Sequence, residues 1–206
     1  MLDVLIFAAT SFMIGLSGAM APGPLLTVTI SDSLKKGFRT GPLLVLGHLI
    51  GEVFIILLIL AGLGWLITSS LASTLIGLVG GAVMIFMGLT MMRDTSLEVE
   101  VSEFEDFGSV SKGLVTSVSN PYFFIWWGTI GAALMLKGME MAKLAGLAAF
   151  LIGHWSSDFA WYSIVSFFSS RGRLLKNAYK FIIVACGIFL IAVGLYFIIM
   201  SMLTQI

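Results

Sequence analysis

The chain has 206 residues, of which 59% are hydrophobic and 11% charged, and its mean hydropathy is +1.08. Those proportions exclude a water-soluble globular protein, since a bilayer-spanning helix needs roughly 20 apolar residues and the chain holds enough for about six. Eleven basic and eleven acidic residues cancel, which leaves no field to attract nucleic acid, and no basic run is interleaved with aromatics for stacking on bases.

The first apolar run is expected to stay in the mature protein. A secretion signal opens with positive charge, whereas Asp3 stands near the start and no Lys or Arg comes before Lys35. Apolar runs punctuated by charges then place spans at Leu2 to Ser33, Gly41 to Thr68, Leu71 to Met92, Val110 to Leu136, Ala142 to Phe168 and Ala178 to Leu203. Runs longer than about 20 residues without strict alternation point to helices and not to barrel strands. The expected fold class is an all-α integral membrane protein with six transmembrane helices. The single cysteine, Cys186, lies in the last run, can form no internal disulfide and is read as a small buried hydrophobe.

Basic loops stay in the cytoplasm. Lys35, Lys36 and Arg39 follow span one, Arg93 and Lys112 flank the loop after span three, and Arg171, Arg173, Lys176 and Lys180 follow span five, whereas the opposite side receives Lys137 and Lys143. The sequence therefore predicts both termini outside. The stretch Asp94 to Ser109 carries Asp94, Glu98, Glu100, Glu103, Glu105 and Asp106 with no basic residue. Like charges repel one another into water, so it is read as a solvated cytoplasmic linker.

That linker separates two halves, 1–93 and 110–206, that resemble one another. Gly47-His48 with Glu52 recurs as Gly153-His154 with Asp158, and Gly81 and Gly88 recur as Gly187 and Gly194, each at an offset of 106 residues. A proline break precedes each set: Ala21-Pro22-Gly23-Pro24 in span one and Ser119-Asn120-Pro121-Tyr122 in span four. Three spans per half is an odd number, so the second half enters the membrane from the opposite side. The sequence predicts two inverted three-helix repeats with broken helices 1 and 4, the plan of many secondary transporters.

At about 1.5 Å per residue, Glu52 lies roughly 16 Å from the cytoplasmic end of span two, and Asp158 a similar distance from that of span five. Both carboxylates are thus expected at mid-bilayer. His48 and Glu52, like His154 and Asp158, stand four residues apart and share a helix face. Ionisable groups at that depth belong in an internal cavity and point to function, with Glu52, Asp158, His48 and His154 as candidate proton-coupling residues. Pro22, Pro24 and Pro121 remove backbone donors and leave unpaired main-chain groups that lipid cannot satisfy. A half-helix N-terminus at such a break can bind a substrate carboxylate, and freed carbonyls can bind an ammonium group. Pro22, Gly23, Pro24, Asn120, Pro121 and Tyr122 are the candidate substrate-binding residues, with Ser17, Gly18, Ala19, Ser117 and Ser119 small enough to admit a ligand.

Taken together, Ser17-Gly18-Ala19-Met20-Ala21-Pro22-Gly23-Pro24, the Gly47, Gly51 and Glu52 pattern, the Asn120-Pro121 break and the Gly153 to Asp158 segment before Trp161 resemble the lysine exporter (LysE/RhtB-type) family over essentially the whole chain. The resemblance implies a plasma-membrane exporter of amino acids or related small metabolites, driven by the proton gradient. Many members carry a lysine after the Asn-Pro pair, where this chain has Tyr122, and the paired histidines are not general in the family. The partners implied are an amino acid, protons and the lipid bilayer, with a homo-oligomer allowed. No cofactor and no resident metal are expected.

The alternative is a divalent metal cation transporter, for which two imidazoles and two carboxylates are a credible ligand set. Against it, His48 and His154 are expected on opposite sides of the midplane, about 20 Å or more apart by helix rise, too far for one compact shell. An enzyme is disfavoured: the chain has His-x-x-x-Glu where a zinc protease needs His-Glu-x-x-His, and one cysteine where a thiol relay needs two. Gly77 with Gly81, Gly47 with Gly51, and the paired glycines of the last spans of each half are expected to bring helices close. Trp65, Trp126, Trp127, Trp155 and Trp161 are expected as interface anchors or cavity walls, Tyr122 and Trp126 being candidates for cation–π contact with an ammonium.

Overall fold

A computed structural model describes residues 2–93, 105–171 and 176–203. These residues are mostly helical, with no strand among them: α1 (Leu2–Ala19), α2 (Pro24–Lys36), α3 (Thr40–Leu60), α4 (Gly64–Thr68), α5 (Ser70–Arg93), α6 (Glu105–Val118), α7 (Pro121–Trp126), a π-helical turn (Trp127–Gly131), α8 (Ala132–Arg171) and α9 (Lys176–Leu203).

The expected breaks are present. Span one is interrupted after Ala19 and resumes as α2 at Pro24, while span four stops at Val118 and resumes as α7 at Pro121. Proline at the first helical position loses no hydrogen bond, because that N–H has no partner within the helix in any case. One further interruption departs from the expected spans. Span two divides at Ala61–Leu63, where Gly62 takes a φ of 75°, a left-handed conformation that favours glycine. The stretch α8 is two helices meeting at a kink, where Ala142 (φ −149°) and Lys143 (φ 50°) leave helical geometry, at the residue where span five was expected to start. Most of the acidic linker, residues 94–104, lies outside the described residues, as does Arg173, but α6 already begins at Glu105, inside the stretch expected to be linker.

Three helical segments among the described residues are long and apolar enough to cross a membrane: Leu2–Ala19, Thr40–Leu60 and Lys180–Leu203; Thr74–Thr90 is apolar but shorter. The surface carries large apolar side chains, such as Phe54, Phe86, Ile152 and Phe181, each more than 60% exposed. The interior meanwhile holds Glu52, His154 and Asp158, none more than 4% exposed. A charged interior inside an apolar exterior is what a lipid environment demands.

Glycines set the packing. Helix α5 lies against α9, where a Cβ on Gly81 would stand 2.6 Å from the Gly194 carbonyl oxygen, and one on Gly88 would stand 2.6 Å from that of Gly187. The contact is reciprocal, since Cβ atoms on Gly194 and Gly187 would meet the carbonyls of Gly81 and Gly88. Helix α3 packs on α6 and α1 on α8; there, Gly47 abuts the backbone of Val110 and Gly153 that of Ala8. Helix α3 therefore carries Glu52 past α6, and α8 carries Asp158 past α1, toward one interior. Buried aromatics Phe123, Trp126, Trp127 and Phe150 close it on one side, and Leu25, Leu44, Tyr162 and Leu190 on the other.

Candidate functional site

The two helix breaks differ in how they satisfy their main chain. At the second, Asn120 Oδ1 accepts the N–H of Tyr122 at 3.1 Å and the Asn120 carbonyl accepts that of Phe123 at 3.0 Å, so the start of α7 is capped. At the first, Gly23 is extended (φ −162°) and no side chain caps α2. Leu25 and Leu26 occupy the second and third positions of α2, where N–H groups have no partner within the helix.

Both breaks border a cavity of about 550 Å³, within the range of about 300–1,000 Å³ usual for small-molecule sites. Pro22, Gly23, Pro24, Asn120 and Tyr122 line it, together with His48, Glu52, His154 and Asp158; Pro121 does not. The structure thus gathers nine of the ten residues singled out from sequence around one space.

Glu52 is the hub. Its Oε1 lies 2.8 Å from His154 Nε2, 3.1 Å from His48 Nε2 and 3.2 Å from Trp127 Nε1. Ser117 Oγ donates to the Gly113 carbonyl at 2.7 Å, so the 2.7 Å contact between His48 Nδ1 and Ser117 Oγ is made by the imidazole N–H. One further proton then stands between His48 Nε2 and Glu52 Oε1, on whichever atom carries it. Asp158 Oδ2 is 3.6 Å from His154 Nε2, and Glu52 Oε2, Asp158 Oδ2 and His154 Nδ1 are buried without a hydrogen-bond partner. The His154 ring is stacked between Trp126 (4.6 Å, 17°) and Phe150 (5.8 Å, 17°), with Trp127 edge-on at 5.5 Å.

This geometry corrects the expected separation of the histidines. With both Nε2 atoms within hydrogen-bonding reach of the same carboxylate oxygen, the imidazoles are neighbours and not about 20 Å apart. The expectation set both carboxylates at one depth. In the structure α3 packs on α8 and Glu52 faces His154 of the other half, with both imidazoles reaching its Oε1. The objection to a compact ligand set falls with it: His48, Glu52 and Asp158 each offer a ligand atom, all within 4.8 Å of one another.

Trp127 and Phe150 were not singled out as partners of the charged cluster. Trp127 was read as an anchor or wall, although a buried indole N–H needs an acceptor and Glu52 was the obvious deep one. What could not be read was the π-helical turn that begins at Trp127. Turns of that kind occur mostly at functional sites and change which way the following side chains face. Phe150 stands one turn before His154, a spacing visible in the sequence.

A helical bundle that is apolar outside, broken at two prolines and polar at its centre defines an integral membrane protein built around a ligand cavity. Residues 16–201 match the model of the LysE type translocator family, and the chain belongs to that family. It is therefore a transporter and not an enzyme. Among curated proteins it is similar to the "Chemotactic transduction protein ChpE" of Pseudomonas aeruginosa, 26% identical over 191 residues, covering 89% of this chain and 93% of that one. It is also similar to the "Putative amino acid efflux protein YcgF" of Bacillus subtilis, 23% identical over 191 residues, covering 90% and 91%. No solved structure matches the chain.

Proposed function

We propose that the protein exports amino acids or related small metabolites across the plasma membrane by alternating access, coupled to protons. The observation that carries this reading is the meeting of two acid–histidine pairs, one from each half of the chain, in the cavity that both helix breaks border. Family membership and the amino-acid efflux protein among the relatives favour an amino acid as cargo.

The proposed architecture is two inverted three-span repeats, 1–93 and 110–206, joined by a cytoplasmic linker at 94–109, with both termini outside. Reciprocal contacts of Gly81 with Gly194 and of Gly88 with Gly187 support it, because residues related by the 106-residue offset exchange partners across a two-fold axis. Rocking of one repeat against the other would separate α3 from α8 and wet the cluster between them. A dry cluster holds its proton on the imidazole–carboxylate pairs, and a wetted one can exchange it with water. Each proton moving inward supplies about 2.3 kcal/mol per 100 mV of membrane potential. His48, Glu52, His154 and Asp158 act as the proton carriers, while Pro22, Gly23, Pro24, Asn120, Pro121 and Tyr122 shape the substrate site.

The donors of the cluster also suit a divalent cation, but nothing among the relatives points to metal cargo. The test is substrate-driven proton flux in vesicles carrying the wild type, Glu52→Gln or Asp158→Asn. Undiminished coupled flux in both variants would refute the carrier role.

A further inference from the structure

Resting on the amino-acid reading above, we propose that the cargo is an α-amino acid with a large, uncharged, apolar side chain. Its carboxylate is held at the first turn of α2, its ammonium group by Asp158, and its side chain by the apolar remainder of the cavity.

The two helix breaks are not equivalent, and the difference chooses the carboxylate site. Helix α7 is six residues long and its first free N–H groups are taken by Asn120. Helix α2 is 13 residues long, has no side-chain cap, and places Leu25 and Leu26 on the cavity wall. Unpaired N–H groups at the positive end of a helix dipole are a fitting partner for a carboxylate. A second feature of the same cavity points to the other end of the ligand. Asp158 is 3% exposed, it lines the cavity, and its Oδ2 has no hydrogen-bond partner. A buried oxygen of this kind calls for a donor, and an ammonium group brings three. Glu52 Oε2 is likewise without a partner, but Glu52 is the weaker choice, because its charge is already engaged through Oε1 by the Trp127 N–H and by both imidazoles.

With the two charged ends of an amino acid assigned, the rest of the wall sets the side chain. Apart from His48, Glu52, His154 and Asp158, no lining residue is Asp, Glu, Lys, Arg or His. Ile125, Val193, Tyr196 and Phe197 are among the other lining residues. An acidic side chain would be buried there without a cation. The second ammonium of a lysine-like ligand would find no carboxylate away from the cluster, and a small side chain would leave apolar wall uncovered.

The test uses the purified full-length protein in detergent, with its thermal midpoint followed against ligand concentration. Leucine and phenylalanine should raise the midpoint, while lysine and glutamate should need at least about tenfold more ligand for the same shift. Two leucine analogues, 4-methylpentanoate without the ammonium and 3-methylbutylamine without the carboxylate, should give no shift at those concentrations. Asp158→Asn, nearly the same in shape, should lose the leucine shift; a full shift in that variant overturns the ammonium site. Lysine or glutamate acting as well as leucine overturns the side-chain class while leaving amino-acid transport intact. No shift with any amino acid overturns the amino-acid reading and this proposal with it. The analogue arm needs no variant and stands whether or not Asp158→Asn folds.

Discussion

His154 Nε2 lies 2.8 Å from Glu52 Oε1, across 102 residues of chain, whereas the acid on its own helix, Asp158, is 3.6 Å away. The shorter contact joins α3 to α8. Any motion that parts these two helices must break it or carry its proton along, which makes the pair a mechanical link as well as a chemical one.

Glu52→Gln should lower substrate-driven proton flux by at least about tenfold. The amide is neutral and its oxygen is a weaker acceptor, so the Trp127 N–H loses a charge-assisted bond worth about 1.5–3 kcal/mol and the two imidazoles lose the anion they face. Flux in reconstituted vesicles, measured beside substrate binding, separates lost coupling from lost affinity. Binding that persists while coupled flux falls is the expected pattern.

Trp127→Phe keeps a ring in place and removes the N–H that Glu52 accepts at 3.2 Å. Loss of a hydrogen bond to a charged group is expected to destabilise by about 1.5–3 kcal/mol. Trp155→Phe is the matched control, since the Trp155 N–H is buried with no partner. Chemical denaturation in detergent should show the larger loss for Trp127→Phe; equal losses would mean that packing alone accounts for the indole.

Gly88→Ala should destabilise by about 1–3 kcal/mol, because its Cβ would stand 2.6 Å from the Gly187 carbonyl, and backbone cannot give way as a side-chain tip does. Gly108→Ala, in α6, meets nothing within 4 Å and should be neutral or stabilise by up to about 1 kcal/mol, as alanine favours a helix. Midpoints of thermal unfolding for the two variants check both signs at once.

Much of this arrangement was legible in the sequence for a physical reason: lipid offers no partner to an ion or an unpaired peptide group. Glu52, Asp158 and the prolines at 22, 24 and 121 had to face a shared interior or not occur at all. Depth along one helix could be counted from its rise, but the pairing across α3 and α8 could not, because it depends on how the helices seat against their neighbours, as Gly47 does against Val110 and Gly153 against Ala8. That pairing brings His154 to Glu52 at 2.8 Å. The π-helical turn at Trp127–Gly131 was hidden, since no residue pattern marks where a continuous helix widens by one residue. Asn120 shows the limit differently. Its place beside Pro121 was plain, yet that its side chain caps α7, so that of the two proline breaks the one before α2 lacks a side-chain cap, is a matter of rotamer.

Lys112 supplies a last prediction, at some remove from the cavity. Its Nζ lies 2.7 Å from Asp32 Oδ2 and joins α6 to α2; Asp32 is buried while Lys112 is nearly half exposed. Nearby, Ser166 of α8 contacts Ser33 Oγ at 2.7 Å and donates to the Phe38 carbonyl at 2.7 Å, so this end of the bundle is tied at two places. Removing one partner of a fully buried pair costs about 3–5 kcal/mol. Water already reaches Lys112, so Lys112→Ala should cost less, about 2 kcal/mol, most of it from leaving Asp32 buried and unpaired. Asp32→Asn combined with Lys112→Met removes both charges together and should recover at least half of that loss. A double-mutant cycle on unfolding free energy gives the coupling directly. If Lys112→Ala is silent by itself, the contact contributes nothing to the closure of α2 over α6, and the serine link remains the tie between α2 and α8.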